Sequence, residues 1–156
     1  MELKGEKAED LLYKGQISYL LGDYKTAVTD LTKAKEDGQQ KAYYYLGLTY
    51  EAQGDSDKAH SYVKEYLDSG VATSYELYDL GSSELDDGDY EEALTFFNAG
   101  LALEKVPNKQ NLMKSAIAAY EYSGDFDSAK KMLKDYLEEY PSDEDAQKES
   151  TFLETR

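Results

Sequence analysis

The side chains that most often carry out catalysis are scarce in this sequence. The only histidine, His60, lies close to Asp57, Lys58 and Ser61, and the chain contains no cysteine. A zinc site needs several histidine or cysteine ligands, and a nucleophile usually needs a neighbouring base. A single histidine provides neither unless another chain helps. We therefore expect His60 to be a solvated surface residue.

Two acidic clusters, Asp55-Ser56-Asp57 and Asp86-Asp87-Gly88-Asp89, raise the question of calcium binding. A calcium loop needs oxygen ligands at alternating positions and a bidentate Glu at its twelfth position, and neither cluster has that frame. The glycines occur singly, so the sequence has no phosphate-binding loop. We interpret these acids as turn and helix-cap residues. We predict that the protein is not an enzyme, and that it uses no cofactor and no metal.

Tyrosine is the one chemically informative residue type that is abundant. The chain has 16 Tyr beside four Phe and no Trp. Tyrosine offers a large contact area with few torsions to immobilise, and its hydroxyl can form hydrogen bonds, so it suits a binding surface. The alternative is that many of these rings pack between neighbouring helices.

A repeated dipeptide shows which elements must position these tyrosines. Gly-Asp occurs four times, 32, 34 and 36 residues apart, where composition alone would give about one copy. Alanine follows each glycine by five residues, and an apolar residue follows each alanine by four. The four alanines are Ala27, Ala59, Ala93 and Ala129, and the apolar residues are Leu31, Val63, Phe97 and Leu133.

This period predicts four helical hairpins. Tyr43, Leu46, Gly47 and Tyr50 have the i, i+3, i+4, i+7 spacing of one helix face. The glycine of each Gly-Asp pair can end the first helix in a left-handed conformation, and the Asp region starts the second. We expect the small alanines to allow close packing of the two helices, with Gly47 and Gly81 as the matching small surfaces on the first helices.

The predicted helices cover about 7–21, 24–37, 40–53, 56–68, 72–87, 90–104, 109–123 and 126–139. Ser142 is the expected N-cap of a ninth helix, with acids in its first turn. This helix, about 143–154, would cover the end of the stack with Ala146, Phe152 and Leu153.

The segment Tyr43-x2-Leu46-Gly47-x2-Tyr50, followed by Ala59-x3-Val63, resembles the tetratricopeptide repeat (TPR), in which Trp takes the place of Tyr43. The other copies match less fully, and the fourth has Ile117 in place of the glycine. The resemblance implies an all-α fold: an α-solenoid of four antiparallel hairpins in a right-handed superhelix, with a ninth capping helix. The expected single domain, 1–156, contains repeats at about 7–38, 39–70, 72–106 and 108–141.

In the TPR family, the first helices of the repeats line a concave groove that binds peptides. By this resemblance we expect a non-catalytic scaffold or adaptor that binds a segment of a partner protein. The predicted groove residues are Tyr13, Tyr19, Lys41, Tyr44, Tyr45, Leu48, Tyr75, Tyr78, Lys114 and Tyr122.

Some TPR domains clamp the acidic C-terminal tail of chaperones with Lys, Asn and Arg side chains. The matching positions in this chain are Leu12, Gln16, Tyr45, Tyr75 and Asp79. None of them retains the required side chain, and Asp79 would repel a carboxylate. A tyrosine-lined groove in a chain of net charge −16 should instead accept an apolar or basic segment.

The same net charge makes nucleic acids and anionic lipids poor partners. The sequence has no apolar run that could span a membrane and no secretion-signal pattern. We expect a cytoplasmic protein, although a removed signal or lipid anchor stays open. The oligomeric state, monomer or dimer, is also open. The alternative function is a self-associating solenoid, or a fragment of a larger membrane-anchored or secreted TPR protein.

Overall fold

A computed structural model describes residues 7–156. Within this range every regular element is an α-helix, which confirms the all-α class. The helices are α1 (Ala8–Leu20), α2 (Tyr24–Glu36), α3 (Lys41–Ala52), α4 (Ser56–Asp68), α5 (Ser74–Asp87), α6 (Tyr90–Leu101), α7 (Lys109–Ser123), α8 (Phe126–Glu139) and α9 (Glu144–Leu153).

The chain divides into two compact units, Met1–Ala72 and Thr73–Arg156. In the first unit, α1 packs on α2 and α3 packs on α4. In the second unit, α5 packs on α6, α7 packs on α8, and α9 packs on α8. The division falls at the start of the third predicted repeat. The single domain spanning 1–156 stays a prediction, and residues 1–6 of it lie outside the described range.

Each hairpin turns at its Gly-Asp pair. The four glycines have φ between 76° and 84°, a left-handed conformation that glycine adopts without a steric penalty. Each following aspartate then caps the second helix by accepting a hydrogen bond from a backbone N–H three residues later. Such a cap contributes about 0.5–2 kcal/mol of helix stability. The interpretation of Asp55 and Asp89 as cap residues is therefore confirmed.

Glycines on the first helices allow very close contact with the second helices. A Cβ atom added to Gly15 would lie 2.5 Å from Cγ of Leu31, and one added to Gly81 would lie 2.5 Å from Cε1 of Phe97. At Gly47 the nearest atom would be Cγ2 of Val63, at 2.8 Å. The glycines thus allow the close approach of the two helices that we expected, and the side chain nearest to each is the apolar residue four positions after the alanine.

The fourth hairpin departs from this pattern, because Ile117 takes the place of the glycine. Ile117 and Leu133 are both buried, and they belong to an apolar cluster with Tyr136, Ala146 and Leu153. This cluster joins α7, α8 and α9. The ninth helix therefore covers apolar surface of the last hairpin, as predicted.

Two details of the predicted ninth helix are wrong. Its N-cap is Asp143 and not Ser142, because the Asp143 carboxylate accepts a hydrogen bond from the backbone N–H of Ala146 at 3.1 Å. Leu153 follows Ala146 by seven residues, so the two side chains share the buried face of the helix. Phe152 lies beside that face and is exposed, with the Arg156 guanidinium 4.7 Å from its ring centroid.

The third hairpin also differs from the predicted bounds. Helix α5 begins at Ser74 and not at 72, because Thr73 and Glu76 form a capping box in which each side chain accepts a hydrogen bond from the other's backbone N–H. Helix α6 ends at Leu101 instead of 104. Asn108 lies before α7, and its side-chain amide donates a hydrogen bond to the carbonyl oxygen of Ser74.

Gly81→Ala tests the close contact in the third hairpin. We expect the free energy of unfolding to fall by about 1–2 kcal/mol, because the added methyl group overpacks against the buried Phe97 ring and the higher helix propensity of alanine only partly offsets that cost. Urea unfolding followed by circular dichroism measures the change. Ser83→Ala, at an exposed position on the same helix, is the matched control and should change stability by less than about 0.5 kcal/mol. A Gly81→Ala protein as stable as the wild type would contradict the packing described.

Candidate functional site

In the first unit, three of the predicted groove tyrosines form an aromatic cluster. The ring centroid of Tyr45 lies 5.1 Å from that of Tyr44 and 6.3 Å from that of Tyr19, both in edge-on geometry. Tyr44 also packs on Tyr66 of α4 at 5.4 Å, and only 7% of its surface is exposed. Tyr44 therefore contributes mainly to packing within the unit. Burial also raises the pKa of the Tyr19 hydroxyl, with smaller effects from Tyr24 and Tyr45.

The other predicted groove residues of this unit differ in exposure. Tyr13 on α1 is open to solvent, whereas Lys41 and Leu48 on α3 are half-buried. Tyr13, Ile17 and Leu20 follow one another at i, i+4 and i+7 and are all exposed, so α1 carries an apolar stripe. Sequence reasoning named only Tyr13 of these three.

In the second unit, two predicted groove tyrosines are open. Tyr75 on α5 is 57% exposed and Tyr122 on α7 is 67% exposed, close to the 62% of Tyr13 in the first unit. Tyr78 is half-buried against Phe97, with ring centroids 6.2 Å apart. That the tyrosines of both units share one groove stays a prediction.

The second unit also contains a cleft of about 310 Å³ between α7 and α9, with α8 as its floor. No Cα atom of α7 lies within 8 Å of one in α9, so side chains alone bridge the gap. The floor and walls include Ile117, Ala118, Leu133 and Ala146. Two predicted groove residues, Lys114 and Tyr122, line this cleft.

A polar network fixes one end of the cleft at the N-cap of α9. The Asp143 carboxylate accepts a hydrogen bond from the Tyr136 hydroxyl at 2.6 Å and pairs with the Lys114 ammonium at 2.7 Å. The Gln110 amide donates a hydrogen bond to the same Tyr136 oxygen. These interactions hold the pKa of Asp143 well below its usual range, the Lys114 hydrogen bond being the largest cause. Lys114 is thus engaged by α9.

At the other end of the cleft, two carboxylates lie close together. Glu121 on α7 and Glu149 on α9 both line the cleft. Burial, together with the negative charge and hydrogen bond of Glu149, raises the pKa of Glu121 to about 7. Like charges in a partly desolvated place favour the protonated form of one of them.

Sequence reasoning named Lys114 and Tyr122 but missed the other residues that line the cleft, although helical spacing contains part of the signal. Lys114, Ile117, Ala118 and Glu121 fall at i, i+3, i+4 and i+7, on one face of α7. Ala146 and Glu149 are three residues apart on α9 and also share a face. That these two faces are opposite each other depends on how α9 docks on α8, which no local pattern gives.

Two family models, both described as tetratricopeptide repeat, match residues 44–108 and 84–148. Together they cover the second, third and fourth hairpins. The chain belongs to the tetratricopeptide repeat family. No curated protein sequence matches it significantly.

Two solved structures show the same TPR fold. One, titled as a functional characterisation of Pseudomonas aeruginosa pilF, has a TM-score of 0.66 and 16% identity, covering 94% of this chain and 67% of that one. The other, PilW, titled a widely conserved type IV pilus biogenesis factor, has a TM-score of 0.64 and 17% identity, covering 97% and 70%. At these identities the likeness concerns the fold.

TPR repeats suggest a protein–protein interaction module, and the family is generally a non-catalytic scaffold. Among residues 7–156, no group of three or more His, Cys, Asp or Glu side chains is arranged to hold a metal ion. No helix in this range combines the length and the apolar character needed to cross a bilayer.

The carboxylate pair predicts a specific pH dependence of this TPR protein. Between about pH 4.5 and 7, Glu121 keeps its proton in the folded chain and loses it in the unfolded chain, so its contribution to stability falls as pH rises through this window. Glu121→Gln removes that loss. We expect the melting temperature of the variant to exceed that of the wild type by a few degrees at pH 8 and to approach it at pH 5.

Thermal unfolding by circular dichroism at several pH values from 5 to 8 measures this difference. Glu138→Gln, at an exposed position of α8 outside the cleft, is the control and should give a curve parallel to the wild type. A Glu121→Gln curve that is also parallel would contradict the raised pKa of Glu121.

Proposed function

We propose that this TPR protein binds a segment of a partner protein on the tyrosine-bearing surfaces of its first helices, without catalysing a reaction. The observation that carries the proposal is the exposure of Tyr13, Tyr75 and Tyr122, each more than half open to solvent. Tyrosine is enriched among the residues that dominate binding energy, so exposed tyrosines are candidate contacts for a partner.

Charge supports a basic or apolar segment as the occupant. The chain has 33 acidic and 17 basic side chains, and the complementary partner is therefore positive or neutral. Among the predicted groove cations, Lys114 is already paired with Asp143. This pairing leaves Lys114 less available to attract an acidic peptide.

A second candidate function is self-association through α1. The exposed stripe Tyr13, Ile17 and Leu20 favours it, since such a face gains free energy when another surface covers it. Tyr66 and Tyr136, which take the place of Ala34 and Gly100 of the other two repeats, are both fully buried within their own units. They therefore give this candidate no support.

The binding proposal predicts that removing exposed tyrosines weakens peptide binding. A peptide selected from a displayed random library lacking Tyr and Trp serves as the ligand, and the protein's tyrosine emission reports binding because the chain has no Trp. We expect Tyr75→Ala with Tyr122→Ala to weaken binding about 30-fold or more, the effect of losing aromatic anchors worth about 2 kcal/mol or more.

Leu21→Ala is the control, since Leu21 is also a large exposed side chain but lies in the turn after α1, outside the predicted groove. Circular dichroism verifies that both proteins are folded. Equal affinity of the wild type and the double variant would refute the tyrosine surface of the second unit as the binding site.

The self-association candidate predicts that sedimentation velocity gives a sedimentation coefficient that rises with protein concentration. Ile17→Asp places a charge in the centre of the α1 stripe and should abolish that rise, while Thr29→Asp at an exposed position of α2 should leave it unchanged. A wild-type chain that sediments as a monomer from micromolar to millimolar concentration would eliminate this candidate.

A further inference from the structure

The cleft between α7 and α9 is an apolar groove with a negative rim. Its apolar surface comes from Ile117, Ala118, Leu133 and Ala146, and its volume of about 310 Å³ is at the lower end of the roughly 300–1,000 Å³ typical of ligand pockets. A space of this size suits one or two side chains of a partner better than a large ligand. Tyr122, one of the exposed tyrosines, stands at its edge.

The charged groups that face this space leave two carboxylates without a cation. Lys114 pairs with Asp143, and Asp145 pairs with Lys148 at 3.0 Å. Within residues 7–156, neither Glu121 nor Glu149 forms an ion pair with a lysine or arginine. The titratable groups that line the cleft are Lys114, Glu121 and Tyr122 from α7, Tyr136 from α8, and Asp145 and Glu149 from α9.

This combination defines the chemistry of a complementary side chain. A lysine or arginine has an aliphatic stem that packs on apolar surface and a cationic end that stays with polar groups. An anionic side chain would be repelled by the two carboxylates, and an apolar side chain would leave the repulsion between them in place. A cation at this place instead relieves their mutual repulsion, which at present is relieved by a proton.

We propose that the α7–α9 cleft anchors a lysine or arginine of the partner segment, with its stem on Ile117 and Leu133 and its cationic group between Glu121 and Glu149. This inference rests on the proposed function, because it names the chemistry that one part of that binding surface selects. Tyr122 stands at the edge of the cleft. A residue of the partner segment that neighbours the basic one would therefore contact the Tyr122 ring.

The arrangement couples binding to proton release. Near pH 6 the Glu121 carboxyl holds a proton, since its pKa is raised to about 7. A cation placed beside it favours the ionised carboxylate, so the proton leaves when the cation binds. Binding should therefore release protons at pH 6 and release fewer at pH 8, where Glu121 has already ionised.

A small matched pair of probes tests the cleft without knowledge of the partner. Butylguanidinium carries a charge on a four-carbon stem, and butylurea has nearly the same shape without the charge. We expect butylguanidinium at millimolar concentration to shift the NMR signals of the Ala118 and Ala146 methyl groups in the full chain, and butylurea to bind about tenfold more weakly. Calorimetry at pH 6 in two buffers of different ionisation enthalpy should reveal the proton release.

Variants of the two glutamates test whether their carboxylates cause the preference for butylguanidinium. Glu121→Gln combined with Glu149→Gln keeps the size of both side chains and removes their charges, so it should fold and should lose the preference for butylguanidinium over butylurea. Glu138→Gln, outside the cleft, should behave as the wild type. Equal binding of the two probes to the wild type, or an unchanged preference in the double variant, would overturn the proposal.

The library-selected peptide separates this inference from the proposed function. Replacing its basic residues with citrulline or norleucine should weaken binding to the wild type about tenfold and should have little effect on the Glu121→Gln, Glu149→Gln protein. If the peptide binds through the exposed tyrosines but is indifferent to both carboxylates, the basic anchor is refuted and the proposed function stands. If no selected peptide depends on the tyrosines while butylguanidinium still prefers the cleft, the proposed function fails and the cation site stands.

Discussion

Close contact between paired helices is the constraint on which this structure depends. In the first three hairpins a glycine on the first helix faces Leu31, Val63 or Phe97 on the second, with no room for a methyl group. Packing this dense makes each hairpin a rigid unit, because its side chains have few alternative positions. The Gly-Asp turns and aspartate caps then fix where each second helix begins. Rigid hairpins can hold exposed tyrosines in place, so binding need not order them first.

The fourth hairpin departs from this pattern, and the departure lies where the candidate site is found. Ile117 occupies the glycine position and contributes, with Leu133, to the apolar surface of the cleft. The ninth helix completes the space, held at its N-cap by the shared hydrogen bonds of Asp143, Tyr136 and Lys114. One end of α9 is therefore attached by opposite charges, while farther along Glu121 and Glu149 oppose each other. The cleft between α7 and α9 therefore combines an apolar surface with two carboxylates.

Local patterns predicted most of the fold because the repeat depends on short-range spacing. The Gly-Asp pair, the alanine five residues after the glycine and the apolar residue four positions later lie within one turn and one helix. The errors occur where tertiary contacts decide. Asp143 replaces Ser142 as the cap because Tyr136 and Lys114 also bind it, and Tyr44 is buried because Tyr66 of α4 reaches it. Glu121 and Glu149 are 28 residues apart, so only the docking of α9 brings them together.

The claim that this TPR protein binds a basic segment is best tested by a crystal structure of the full chain in complex with a library-selected peptide. We expect the peptide to lie against the first helices, to contact Tyr122, and to place an ammonium or guanidinium nitrogen within about 4 Å of the Glu121 and Glu149 carboxylates. A peptide seated on the outer faces of the second helices, with the α7–α9 cleft unoccupied, would contradict it.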